Sequence, residues 1–187
     1  MLICYAFCGS FCTARRSITQ LRALAARGYD ILPVASFNFA STSTRFGDAP
    51  DLCAEIEEIC RRKLITTLAD AEPVGPRFKP DAMIIAPLTG NTLAKLRQGV
   101  YDTPVTLAAK AHLRNRRPLL LALATNDALS GNFENLAALY QRKNIFFVPL
   151  VQDDPGAKPF SLVADFERIP QALDAALEGR QLLPLFQ

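Results

Sequence analysis

Apolar runs alternate along this chain with stretches whose apolar residues recur every third or fourth position. Residues 2–8 (LICYAFC), 81–88 (DAMIIAPL), 118–124 (PLLLALA) and 144–150 (NIFFVPL) are nearly continuous in apolar side chains. Strands buried on both faces read this way. Residues 30–35 (DILPVA) form another strand, and Pro33 assigns it an edge position or a local irregularity. Between the strands lie helical patterns. Ile18, Leu21 and Ala25 share a face of a helix over 13–27, which Gly28 ends. Leu52, Ile56 and Ile59 share a face over 49–63. Further helices are predicted over 91–98, 104–114 and 128–142, and a last one carries Phe166, Ile169, Leu173 and Leu177. Thr103-Pro104 opens the second of these with a capping hydroxyl and a first-turn proline. Residues 36–48 and 152–159 read as polar loops. Residues 64–80, with Pro73, Gly75, Pro76 and Pro80, read as a connection. The alternation predicts one α/β domain over 1–187: a three-layer, doubly wound, mainly parallel sheet of Rossmann-like type.

Composition narrows the function. The 187 residues are half hydrophobic, which supplies a full core, and the net charge is only +3. The densest cations, Arg61-Arg62-Lys63 and Arg114, Arg116 and Arg117, sit where helices end and favour the helix dipole. No aromatic residues interleave with them, so no nucleic-acid surface is expected. The first residues lack the basic start of a signal peptide, and no apolar stretch is long enough for a bilayer, so no membrane partner is expected. Five cysteines, an odd number without a CxxC pair, fit a cytoplasmic protein. Cys53 and Cys60 lie on one helix face and read as small core residues. Cys8 and Cys12 bracket the first turn, but His112 is the only histidine, so no metal site is expected. His112, between Lys110 and Arg114, reads as a surface or interface residue.

In doubly wound sheets ligands bind beyond the carboxyl ends of the strands. There the sequence places Gly9, Ser10 and Thr13; Ser36, with Thr44 and Arg45 further on; Thr89, Gly90, Asn91 and Thr92; Thr125, Asn126 and Asp127; and Gln152, Asp153 and Asp154. Glycines that let backbone approach, and N–H groups at helix starts, suit an anion. Each turn taken alone also reads as a helix cap. Together they point to a phosphate-bearing ligand. The three-glycine dinucleotide fingerprint is absent, since the first turn supplies only Gly9, and Ala35-Ser36 ends the second strand without an acidic residue. A mononucleotide such as FMN fits better than NAD.

The segment Pro87-Leu88-Thr89-Gly90-Asn91-Thr92 resembles the PASANT segment of the homo-oligomeric flavin-containing cysteine decarboxylase family. Gly9-Ser10 and Ser36 occupy places matching that family's flavin loops. A closer resemblance, over nearly the whole chain, is to the B subunits of dipicolinate synthases. It is carried by GSFCT, TSTRFGDA, AEPVGP, MIIAPLTGNT, AAKAHLRNRRP, TNDALSGNFENL, KNIFFVPLVQDDP, KPFSLVA and ALEGRQLLP. The resemblance implies a cytoplasmic homo-oligomer in the mother cell of a spore-forming bacterium. It also implies an A-subunit partner that binds NAD(P) and oxidation of the dicarboxylate dihydrodipicolinate to dipicolinate. FMN is the cofactor implied for this chain. The decarboxylases' histidine after the second strand has no counterpart in 36–48, and their substrate-clamping segment is replaced by TNDALSGN, which argues against cysteine decarboxylation.

Candidate roles follow. Arg45 is a carboxylate clamp and Asp127 a proton acceptor, each with a plainer reading as a solvated arginine and a helix cap. Gly9, Ser10, Thr13, Ser36, Thr89, Gly90, Asn91, Thr92, Thr125 and Asn126 are candidates to hold the cofactor. Asp153-Asp154-Pro155 reads equally as a turn. Two other functions stay open: a self-sufficient FMN enzyme, and a non-catalytic scaffold for the A subunit.

Overall fold

The computed structural model describes all 187 residues. Seven strands form one sheet: β1 (Leu2–Phe7), β2 (Asp30–Ala35), β3 (Ala82–Leu88), β4 (Leu119–Thr125), β5 (Ile145–Phe147), β6 (Leu150–Val151) and β7 (Leu162–Ala164). Their order is β2-β1-β3-β4-β7-β6, with β5 also beside β4. β1 to β5 pair in parallel, and β7 pairs antiparallel with both β4 and β6. Pro33 lies in β2, the strand that ends this order. There the ladder can spare its missing N–H.

Eight helices cover the sheet: α1 (Phe11–Ala26), α2 (Phe37–Ser41), α3 (Ala49–Cys60), α4 (Leu68–Ala71), α5 (Gly90–Gln98), α6 (Pro104–Leu113), α7 (Phe133–Tyr140) and α8 (Ile169–Leu177). α1 packs with α3 and α8, while α6 packs with α4 and α5, and α5 with α7, giving the predicted three layers. β1, β3 and β4 are buried almost throughout, as their apolar runs require. Ser17 is a polar exception inside α1. Its hydroxyl meets Tyr5 Oη at 3.0 Å and donates to the Ala86 carbonyl, so one satisfied network fixes α1 on β1 and β3.

Four stretches differ from the pattern-based expectation. The 36–48 loop contains α2, because Ser36 Oγ accepts from Phe39 N at 3.3 Å and Phe39 is fully buried. The 64–80 connection folds into α4 and a 3-10 turn, Glu72–Val74. The helix expected over 128–142 begins only at Phe133, since Ser130 N and Asn132 N both turn back to the Asp127 carbonyl. The run 144–150 splits into β5 and β6, and its end pairs with β7, which three residues were too short to announce. Cys60 joins the core as expected, whereas Cys53 is only half-buried.

Candidate functional site

The chain runs from β1 to β2 on one side and then crosses to β3 on the other. A switch point therefore opens between the carboxyl ends of β1 and β3. A cleft of about 850 Å³ lies there. β1 delivers Cys8, whose thiol burial pushes up to about 11 against hydrogen bonds involving Thr92 and Thr89. It stays protonated and serves the core rather than chemistry. Gly9 and Ser10 follow and line the cleft. The Ser10 carbonyl accepts from Thr13 N at 3.2 Å and Thr13 Oγ1 at 3.0 Å, and the Ser10 hydroxyl accepts from Thr13 Oγ1 at 3.1 Å. Ser10 therefore gives α1 no side-chain cap. The N–H groups of Phe11 and Cys12, at the start of this 16-residue helix, are left for a ligand, and Phe11, Cys12 and Thr13 line the cleft.

The turn after β3 is built differently. Thr89 Oγ1 accepts from Thr92 N at 3.3 Å and donates to Thr92 Oγ1 at 3.1 Å, so α5 is capped by its own sequence. Thr92 is buried beneath, while Thr89, Gly90 and Asn91 line the cleft. Gly90 is dictated by close approach: a Cβ there would lie 2.6 Å from Asn132 Nδ2 and 2.7 Å from Thr125 Oγ1. After β4, Thr125 Oγ1 donates to Asp127 Oδ1 at 2.6 Å and Asn132 Nδ2 donates to Asp127 Oδ2 at 2.8 Å. Both oxygens of Asp127 are engaged in shaping the turn. Thr125 and Asn126, not Asp127, line the cleft.

The fold thus gathers Gly9, Ser10, Thr13, Thr89, Gly90, Asn91, Thr125 and Asn126 around one cavity. Ser36 instead caps α2, and the Arg45 guanidinium lies 4.9 Å over the ring of Phe46. Phe46 lines the cleft and Arg45 does not. Arg16, Lys158, Ser161 and Val163 line it without having been singled out in the sequence. Arg16 had a usable signal: it stands four residues after Cys12, on the same helix face. Lys158 and Ser161 had none, because the return of β7 alone brings them there. Asp153 joins them. Burial pushes its carboxyl up, but Ser161 and Lys158 outweigh that and hold it below the usual range.

His112 is a correction to the surface reading. It is fully buried, with Nε2 2.9 Å from the Pro118 carbonyl. A carbonyl only accepts, so Nε2 carries the hydrogen and Nδ1 is left without a partner. Burial drives its pKa down to about 4. Met83, at the start of β3, also donates to the Pro118 carbonyl, which places His112 at the opposite edge of the sheet from the cleft. No trio of His, Cys, Asp or Glu side chains converges to hold a metal ion, and no helix is long and apolar enough to cross a membrane.

The model of the Flavoprotein family matches residues 3–172. The chain belongs to the Flavoprotein family. It is 45% identical over 177 residues to the dipicolinate synthase B subunit of Bacillus subtilis (strain 168), covering 95% of this chain and 88% of that one. The crystal structure of the dipicolinate synthase B subunit from Bacillus halodurans superposes with a TM-score of 0.91 at 36% identity, over 100% of this chain and 95% of that one. An FMN-dependent cysteine decarboxylase, SpaF, shares the fold with a TM-score of 0.68 at 21% identity, over 95% of each chain.

Proposed function

We propose that this chain is the B subunit of a dipicolinate synthase, acting with an NAD(P)-binding A subunit to oxidise dihydrodipicolinate to dipicolinate during spore formation. The observation that carries this reading is the 45% identity to a dipicolinate synthase B subunit over 95% of the chain. The cleft supports it, because its polar turns and the cations Arg16 and Lys158 supply groups that can orient a dicarboxylate ring. FMN is the cofactor we assign to this chain. The residues fit it: the uncapped start of α1, with Ser10 and Thr13, suits its phosphate, and the turns 89–91 and 125–126 supply polar groups for the rest. When bound, flavin supplies a two-electron acceptor. The chain's own part is to bind, orient and exclude water, with Asp127 holding Thr125 and Asn132 in place around Gly90.

The test co-expresses this chain with an A subunit and follows dipicolinate formation from dihydrodipicolinate with NAD(P). Turnover is expected from the pair, a retained flavin spectrum from this chain, and strong loss of turnover in Asn91→Ala with folding intact. A pair that makes no dipicolinate sinks the reading. Full turnover by Asn91→Ala would favour the scaffold role instead.

A further inference from the structure

The segment between β6 and β7 forms a second wall of the cleft, carrying Asp153, Lys158 and Ser161, none of which is among the residues assigned to FMN. Its backbone is tied internally. Lys158 N donates to the Asp154 carbonyl at 2.7 Å, Ala157 N to Asp154 Oδ1 at 3.0 Å, and Ser161 N to the Lys158 carbonyl at 3.0 Å. Gln152 Nε2 donates to the Pro159 carbonyl at 2.7 Å. Buried Ser161 anchors the segment to the cleft floor, its hydroxyl 3.3 Å from the Thr125 carbonyl and 2.9 Å from Asp153 Oδ1. Asp153 Oδ2 then receives the Lys158 ammonium at 3.2 Å. A long, mobile side chain is thereby held at a set place on the wall, although 53% of it remains exposed. A solvent-facing ion pair requires neither a buried serine behind the carboxylate nor a place on a cavity wall.

The charge balance of the cleft favours an anion. Its strongly ionisable lining side chains are Arg16, Lys158 and Asp153, two cations against one carboxylate. Arg16 lies over the Phe166 ring at 5.3 Å, on α1 and thus on a different element from Lys158. An ammonium has three donors, and Asp153 takes one, so donors remain for a ligand oxygen. We propose that Lys158 anchors one carboxylate of the dicarboxylate substrate, with Asp153 and Ser161 as its positioning residues. This rests on the dipicolinate synthase reading, since it names the substrate group that the second wall of the same cleft receives. The contact is a charge-assisted hydrogen bond, which is stronger than a neutral one and weakens with salt where solvent reaches it.

The experiment is calorimetric titration of the full chain, with and without FMN, using pyridine-2,6-dicarboxylate and, as control, pyridine-2-carboxylate. Wild type should bind the dicarboxylate more tightly than the monocarboxylate. Lys158→Met should weaken dicarboxylate binding by about tenfold or more and lose that preference, while Lys158→Arg stays within about threefold of wild type, as a retained charge-assisted contact requires. FMN retention should be the same in all three. Wild-type affinity in Lys158→Met overturns the proposal, as does a wild-type chain that binds no dicarboxylate. Should Lys158→Met unfold, Lys158→Gln replaces it under the same criteria. Turnover by the wild-type pair separates the two failures. If the pair makes dipicolinate while Lys158 proves dispensable, only the anchor assignment falls. If the pair makes none, the functional reading falls as well.

Discussion

Two residues show how little freedom the interior leaves. Alanine normally stabilises a helix relative to glycine by about 0.4–1 kcal/mol where the backbone permits it. At Gly90 the sign reverses, because the new Cβ meets Asn132 Nδ2 and Thr125 Oγ1. Gly90→Ala should cost about 1–3 kcal/mol as an overpacked site and reduce flavin retention, read by chemical denaturation and absorption spectroscopy. His112 carries a different consequence. Its folded pKa, about 4, lies below the ordinary value of 6.5, so the unfolded chain binds more protons between those two limits. The histidine's share of stability is therefore full above pH 6.5, falls as the pH drops toward 4, and levels off below. Against His112→Leu, wild type should lose about 3 kcal/mol more across that window. At neutral pH the exchange should be mild, since the Pro118 carbonyl keeps Met83 N as a donor. Parallel denaturation profiles for the two proteins from pH 7 to pH 4 would refute the linkage.

At the scale of elements, local sequence chose the helix starts it could cap. Thr103 Oγ1 accepts from Thr106 N at 3.2 Å and Thr106 Oγ1 accepts from Thr103 N at 3.1 Å, a reciprocal cap followed by Pro104. Thr103→Ala should cost about 0.5–2 kcal/mol in thermal or urea unfolding. Flavin retention should be unchanged, because this cap stands outside the cleft. The Thr103-Pro104 signature was readable because each partner lies within three residues of the other. The late start of α7 was not readable. Its first expected turn is held open by Asp127, whose side chain serves Thr125 and Asn132 rather than a helix N-terminus. α2 was hidden for a related reason: its five residues, FNFAS, are too few to show a helical period, and only the tertiary fold drives Phe39 into the core. β7 was missed because three residues carry no period, and antiparallel pairing with β4 and β6 creates the strand.

For the whole molecule, the strand order puts the switch point between β1 and β3, and the turns after β1, β3 and β4 meet there. The polar residues after these strands were visible as one edge of the sheet because apolar runs end abruptly at Gly9, Thr89 and Thr125. Sequence by itself determined the alternation of elements, the parallel core and the polar edge of the sheet, since burial periodicity and caps act over a few residues. Tertiary structure decided which of those polar residues share a cavity. It turned Ser36 and Thr92 to capping contacts, engaged both oxygens of Asp127, and buried His112 against Pro118. It alone carried Lys158, Asp153 and Ser161 back beside Thr125. The physical reason is range: a cap or an apolar face is written within one or two turns of chain, whereas a cleft wall depends on pairing between strands 37 residues apart, as in Thr125 and Leu162.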